Sequence, residues 1–274
     1  MNTYEEGRQY LYQIGIDMTK ITQETSDSVF STLNDVNINP SEIKLFVALQ
    51  TPPENILKIL GLNSEYFEGK QILDLGGGFG GMPFLLEEYI DQYVVCDPCF
   101  EETVKDIALN NTLSIQENFI KESKKKIEVI NNQLNNLQSR QTAAKYRYND
   151  LFEQSNDLQN MYVTKQKVLN YINMRSNFDQ TKHPKIVINP SKGEDINGIE
   201  NNSQDIVLIC HILDKKYLNY FGILAEASRI LKINGEILVV EDRDKDIIGI
   251  FEKLGLQWQE KGNKVVCRIK KRPI

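Results

Sequence analysis

The chain is poor in the residues that build disulfide frameworks and metal centres: 274 residues carry four cysteines, two histidines and one tryptophan. Four cysteines are too few to staple a chain of this length, which fits a reducing compartment. No window approaches the roughly eighteen consecutive apolar residues of a membrane-spanning helix, and Met1 to Tyr10 is polar and charged rather than signal-like. A cytoplasmic protein without membrane association is therefore expected. An excess of basic charge is also missing. The formal charge of −6 and a pI near 5.2 give no bulk attraction to nucleic acid or anionic lipid, although a local nucleic-acid patch stays open. Only Arg268 to Arg272 is clearly basic. With 41% apolar residues, the chain can bury a real core.

Glycine and proline are absent between Cys99 and His183, which excludes a loop-rich segment there and leaves long helices. Apolar residues fall in a 3,4 spacing through Ile120, Ile127, Ile130, Leu134, Leu137, Ala144, Tyr148, Leu151, Leu158, Tyr162, Leu169 and Ile172. Ser123, Gln141, Ser155 and Lys165 break that heptad pattern of a coiled coil. One helix over 110–175 would run about 100 Å, so the chain must fold back to rejoin its body. Ser139 to Thr142 or Ser155 to Asp157 would make the turn. The resulting arm pairs internally, with a second copy as a homodimer, or with a partner protein through residues 110–175. As a separate spacer, it should be removable without loss of ligand binding.

Either side of this interruption, short apolar runs alternate with helical spacing: Ile72–Leu75, Tyr93–Cys96, Lys185–Asn189, Asp205–Ile209, Glu236–Val240 and Lys264–Ile269 read as strands. Tyr217–Leu231 and Ile247–Leu254 read as helices. Strands alternating with helices indicate α/β architecture with a parallel sheet. Before them, Asn39-Pro40-Ser41-Glu42 and Thr51-Pro52-Pro53-Glu54 mark two helix starts, each with a capping side chain, a proline at the first helical position and an acid at the third, and Gly61 ends the second helix. This segment either covers one end of the sheet or forms a lid. Three regions follow: an N-terminal helical segment, 1–68; a sheet domain, 69–100 with 182–274; and a helical hairpin, 101–181.

The densest chemistry lies in Gln71 to Met82, where five of twelve residues are glycine and Asp74 stands two positions before the first. Glycines directly after a buried strand let the backbone turn sharply and approach a ligand, and a helix beginning near Pro83 would aim its free N–H groups at it. Gly76-x-Gly78-x-x-Gly81 satisfies a dinucleotide fingerprint, and Asp74-x-Gly76-x-Gly78-x-Gly80 satisfies another scheme. The carboxylate decides, since it would repel a pyrophosphate but attract an ammonium or sulfonium. Asp97, about twenty residues on at the end of the second strand, can accept ribose hydroxyls. Together the two acids describe a ligand with an amino acid at one end and a ribonucleoside at the other.

At these residues the chain resembles the class I S-adenosylmethionine-dependent methyltransferases. Ile72 to Gly80 matches their first motif and Asp97 their second-strand acid; Asn202 to Leu213 looks like their fourth strand, and Ala225 to Glu241 resembles their helix, turn and fifth strand, with Ile233-Asn234 where many relatives have proline and glycine. The resemblance spans roughly residues 66–98 and 184–270. It implies a Rossmann-like seven-stranded sheet with the last strand antiparallel, and S-adenosylmethionine over the strand ends near Gly76, Gly77, Gly78 and Phe79. Asp74 would lie toward the methionine ammonium, Asp97 with Pro98 at the ribose, Asp195 or Glu194 at the adenine amine, and Cys210 at the edge of the fourth strand.

Methyl transfer needs an aligned nucleophile and, for a hydroxyl or amine acceptor, a base. His211 stands at the end of the fourth strand as a candidate, and Asp214 follows it; Glu241 and Asp242 are further acids on that edge. No Asn-Pro-Pro-Tyr motif is present after the fourth strand, which disfavours base-amine methylation. Cys96, Cys99, Cys210 and His211 form a conceivable zinc set. However, the first strand separates the two pairs by about 10 Å, so no metal site is expected. The acceptor reads as a small-molecule hydroxyl or amine. The alternatives are an RNA or protein acceptor, or a catalytically silent platform that acts through the arm.

Overall fold

The computed structural model of the chain describes residues 4–16, 51–78, 80–100, 105–138, 145–191, 193, 195–213, 220–243 and 245–273. One sheet organises it, built from β1 (Gln71–Leu75), β2 (Gln92–Cys96), β3 (Ile186–Asn189), β4 (Gln204–Cys210), β5 (Leu231–Asp242), β6 (Trp258–Lys261) and β7 (Lys264–Lys270). Their order is β3-β2-β1-β4-β5-β7-β6. Strands β1 to β5 pair in parallel, whereas β7 runs antiparallel to both β5 and β6. The six strands read from the sequence are all present. β6 was not read because Trp258-Gln-Glu-Lys261 is a mostly exposed edge strand with little apolar signal.

Alternation along β1 sends Ile72 to one face and Leu73 and Leu75 to the other, which splits the core into two layers. Helices α1 (Tyr4–Gln13) and α2 (Pro53–Leu60) cover opposite layers: Leu11 joins the layer containing Leu73, while Ile56, Leu57 and Leu60 join the layer containing Ile72. Each such buried Leu or Ile contributes roughly 2 kcal/mol. The second helix start shifts by one residue from the sequence reading. Pro52 is the N-cap, no side chain caps the helix, and Pro53 is the first helical residue, because consecutive prolines hold Pro52 extended (ψ 138°). Gly61 closes α2 in the left-handed region, as expected. The start at Asn39 lies outside the described residues.

Helix α3 (Met82–Leu86) follows the glycine turn. Beyond the arm come α6 (Tyr220–Ile230) and α7 (Lys245–Lys253), on the same layer as α1. α1 docks against α6 and the chain end, well away from the carboxyl ends of the parallel strands: the Ser228 hydroxyl donates to the Tyr10 carbonyl at 2.6 Å and Arg272 N–H to the Gln13 carbonyl at 2.9 Å. Beside it the buried ammonium of Lys271 donates to the carbonyls of Ser228 (2.6 Å) and Leu231 (2.7 Å) and to Asn202 Oδ1 (2.8 Å), satisfying carbonyls at the end of α6. β5 begins directly at Leu231, earlier than the spacing predicts. Asn234, at φ 67°, takes the turn expected there as an irregularity within the strand, and the β4 register shifts to match.

The interruption consists of α4 (Lys105–Gln138) and α5 (Lys145–Ser176), each about 50 Å long. The Ser155 hydroxyl meets Asn131 Oδ1 at 3.3 Å and the Lys165 ammonium lies 5.1 Å from the centre of the Phe119 ring. Both pairs centre near residue 142. The reversal therefore falls between α4 and α5, and the alternative turn at Ser155 to Asp157 is overturned, since those residues are helical within α5. Near-equal helices return the chain to β3 beside its point of departure from β2, which a turn at 155 would not do. No helix among the described residues is long and apolar enough to cross a membrane.

Candidate functional site

The strand order reverses between β1 and β4, and in open α/β sheets the crevice outside the carboxyl ends at that point is where ligands bind. Backbone bonds carry the sheet one residue past its strands here: Gly76 N–H donates to the Cys96 carbonyl (2.8 Å), Asp97 N–H to that of Asn189 (3.0 Å) and His211 N–H to that of Val240 (2.9 Å). The glycine turn, Asp97 and His211 thus share one edge.

Packing within the chain accounts for more of the glycines than the sequence reading allowed. Gly76 sits at φ 69°, and a Cβ there would stand 2.4 Å from Ile212 Cγ2. At Gly77 it would stand 2.6 Å from Asp74 Oδ2, and at Gly81 2.2 Å from the Tyr171 ring. The start of α3 therefore packs against Tyr171 of α5 on the side where a Gly81 side chain would stand. Gly78 has a different role. Its N–H donates to Asp97 Oδ2 at 2.9 Å, joining the turn to the end of β2.

Asp74 is 6% exposed, beneath Gly77, and accepts a 2.8 Å hydrogen bond from the Tyr93 hydroxyl. Burial pushes its carboxyl up to about 7; the Tyr93 hydrogen bond and the charge of Arg175 oppose this, and Asp97 adds to it. A carboxylate in this position acts as a charge behind the turn. Burial, with Asp74 and Glu241 nearby, raises the Cys210 thiol well above its ordinary range, so it stays a thiol. Pro98 opens a short 3-10 turn after Asp97. Asp195 is exposed in the loop after β3, and the next residue, Ile196, donates its N–H to Glu226 at 3.4 Å. Phe79, Glu194 and Asp214 lie outside the described residues.

His211 Nδ1 is 3.4 Å from Asp242 Oδ2, and Lys264 pairs with the other oxygen of that carboxylate. His211 has φ 60°, a strained value for a non-glycine residue. The segment after it is held by Glu241, whose fully buried Oε1 accepts the N–H groups of Ile212 and Leu213 at 2.9 Å each. Glu241 thereby presses Ile212 onto Gly76. This is a positioning role, where the sequence marked only an acid on the edge. Strand β1 lies between β2 and β4, so Cys96 and Cys210 fall on strands either side of it, and the Cys96 thiol donates to the Ser191 carbonyl at 3.2 Å.

Two contributors were invisible in the sequence, Tyr171 and Arg175 of α5. The Tyr171 hydroxyl donates to Glu54 of α2 at 3.1 Å, and Arg175 Nη2 donates to the Gly78 carbonyl at 3.3 Å. A helical position some 95 residues downstream carries no local signal for contact with the turn. That the arginine near the end of this helix is buried is recognisable only once the fold is known.

Comparison of the sequence with protein-family models and with curated proteins returns no match. Among solved structures, the chain is similar to a SAM-dependent methyltransferase from Aquifex aeolicus, at 15% identity over 86% of this chain and 100% of that one, with a TM-score of 0.41. It is also similar to the N-methyltransferase NodS from Bradyrhizobium japonicum in complex with S-adenosyl-L-homocysteine (10% identity, 98% and 99% covered, TM-score 0.42). A third is an rRNA methylase from Streptococcus thermophilus (10% identity, 82% and 99% covered, TM-score 0.41). The strand order of the chain itself, with β7 alone running against the other six strands, makes this the fold of the Rossmann-like class I S-adenosylmethionine-dependent methyltransferases.

Proposed function

We propose that the chain transfers a methyl group from S-adenosylmethionine to a small-molecule hydroxyl or amine. The observation that carries this reading is Asp97, held at the end of β2 by the Gly78 N–H at the edge where the strand order reverses. The donor set suits the cofactor. Asp97 accepts the ribose hydroxyls beside Pro98, Asp74 supplies negative charge behind Gly77 for the methionine ammonium, Asp195 meets the adenine amine, and Cys210 borders the wall at β4. When bound, the cofactor supplies an electrophilic methyl on a sulfonium. The chain aligns the acceptor with it and removes a proton. His211 is assigned that proton: Asp242 lies 3.4 Å from Nδ1, the base-and-orienter arrangement of general-base sites.

A screen for transfer of labelled methyl from the cofactor into fractionated metabolites, RNA and protein tests the proposal. Label in a metabolite fraction supports it. Label in RNA or protein alone replaces the acceptor class, and cofactor binding without any transfer replaces catalysis with a platform role.

The arm we assign to pairing with a second copy of the chain. Val129 of α4 and Phe152 and Val163 of α5 are each about half exposed there (55%, 49% and 47%) and offer apolar surface for a second copy to cover. Light scattering of the intact protein is expected to give twice the monomer mass; a monomer at micromolar concentration would reject this assignment.

A further inference from the structure

The root of the arm reaches the turn assigned above to the cofactor. In the last turn of α5, Arg175 is 2% exposed. Its guanidinium lies 5.1 Å from the ring centre of Phe100 and 5.9 Å from those of Phe84 and Phe178, three rings contributed by the segment after β2, by α3 and by the segment after α5. Cation–π contact on several sides compensates part of the cost of burying the charge. Nη2 donates to the Gly78 carbonyl, while the Gly78 N–H donates to Asp97. Gly78 is therefore held at both its polar groups, by β2 on one side and by the inserted arm on the other. One helical turn earlier, Tyr171 covers Gly81 and hydrogen-bonds Glu54.

We infer that Arg175 is a positioning residue through which the inserted arm holds the Gly76–Gly81 turn in its ligand-ready shape, an assignment that rests on the cofactor reading above. Glycine-rich backbone loses much conformational freedom when it is ordered, and a turn ordered before binding spares the ligand that cost. The guanidinium also acts on Asp74 electrostatically. Tyr93 from β2 hydrogen-bonds that carboxylate, Asp97 after β2, Cys210 from β4 and Arg175 from α5 interact with it electrostatically, and Arg175 is the cation among these four. Removing it raises the pH at which Asp74 ionises, so ammonium recognition shifts to higher pH. The arm is thus no detachable spacer. Deleting 112–175 would remove Tyr171 and Arg175 and weaken cofactor binding, contrary to the expectation from sequence.

The test compares wild type, Arg175→Met and Arg175→Lys in the full chain by two readouts: amide hydrogen exchange across residues 76–81 without ligand, and calorimetric affinity for S-adenosylhomocysteine from pH 6 to 9. Arg175→Met is expected to speed exchange in the turn and weaken the product about tenfold, the worth of a charge-assisted hydrogen bond, with the pH midpoint of binding moved upward. Arg175→Lys keeps the charge but not the fork, so its midpoint stays while exchange in the turn still rises. Exchange unchanged in both variants overturns the inference. If the Met variant does not fold, exchange in the Lys variant decides alone. A wild type that binds no product, with a turn still freed in the variants, sinks the cofactor reading and leaves the positioning role standing. A wild type that binds, with variants identical to it in both readouts, does the reverse.

Discussion

Asp97→Ala is expected to weaken S-adenosylhomocysteine binding about 100-fold, the largest loss of any single substitution in the site. In the proposed complex its carboxylate accepts two ribose hydroxyls, and hydrogen bonds to a charged group are worth about 1.5–3 kcal/mol each; losing roughly 3 kcal/mol corresponds to about two decades in Kd. Alanine also removes the acceptor for the Gly78 N–H, 2.9 Å away, and so releases the turn from β2. Asp97→Asn retains one oxygen for that N–H but offers the ribose a neutral amide, and should fall between alanine and wild type. Calorimetry with the product reads both. An alanine variant within threefold of wild type would falsify the ribose assignment.

Asp74→Asn is expected to move stability and affinity in opposite directions, raising the melting temperature at pH 8 while weakening product binding. The sign follows from linkage. Burial lifts the Asp74 carboxyl from 3.8 to about 7 in the folded chain, so between about pH 4 and 7 the folded state holds a proton that the unfolded state has released. Stability from this group therefore falls as pH rises through that window and is lowest above 7, where the charge is present and buried. At about 1.4 kcal/mol per pH unit, the rise from 3.8 to about 7 makes the cost at pH 8 on the order of 4 kcal/mol. Asparagine avoids it and can still accept from the Tyr93 hydroxyl. Thermal melts from pH 4 to 8 should show the variant ahead at pH 8 and the advantage shrinking toward pH 4. A lower melting temperature at pH 8 would mean that Arg175 and Tyr93 outweigh desolvation, and the role of Asp74 as a costly charge kept for a cationic ligand would fall.

Much of the sheet was legible because its strands are short apolar runs separated by glycine, proline and acids, and because period-2 alternation places Ile72 and Leu73 on opposite faces. β6 escaped because an edge strand need not be apolar. The exchange of turn for strand at Ile233-Asn234 escaped because Asn234 enters the left-handed region without ending the β ladder. In the site, Asp74, the glycines, Asp97 and His211 were legible as chemistry. Their partners Tyr93, Tyr171 and Arg175 were not, and Glu241 was legible only as an acid on that edge, since each contact crosses from one element to another.

The sequence by itself determined the alternation of strands and helices, the position of two acids around a glycine turn, and a long interruption free of helix breakers. These are local properties, set by side-chain periodicity and by backbone freedom at glycine and proline. Only the tertiary structure decided why particular glycines are required, where the hairpin reverses, and that the arm ends against the turn. Those outcomes depend on which side chains meet across the fold: Ile212 over Gly76, Tyr171 over Gly81, and the Arg175 guanidinium on the Gly78 carbonyl. Contact energies between residues far apart in the chain leave no imprint on the spacing of either segment, so they become readable only when folding has brought the two together.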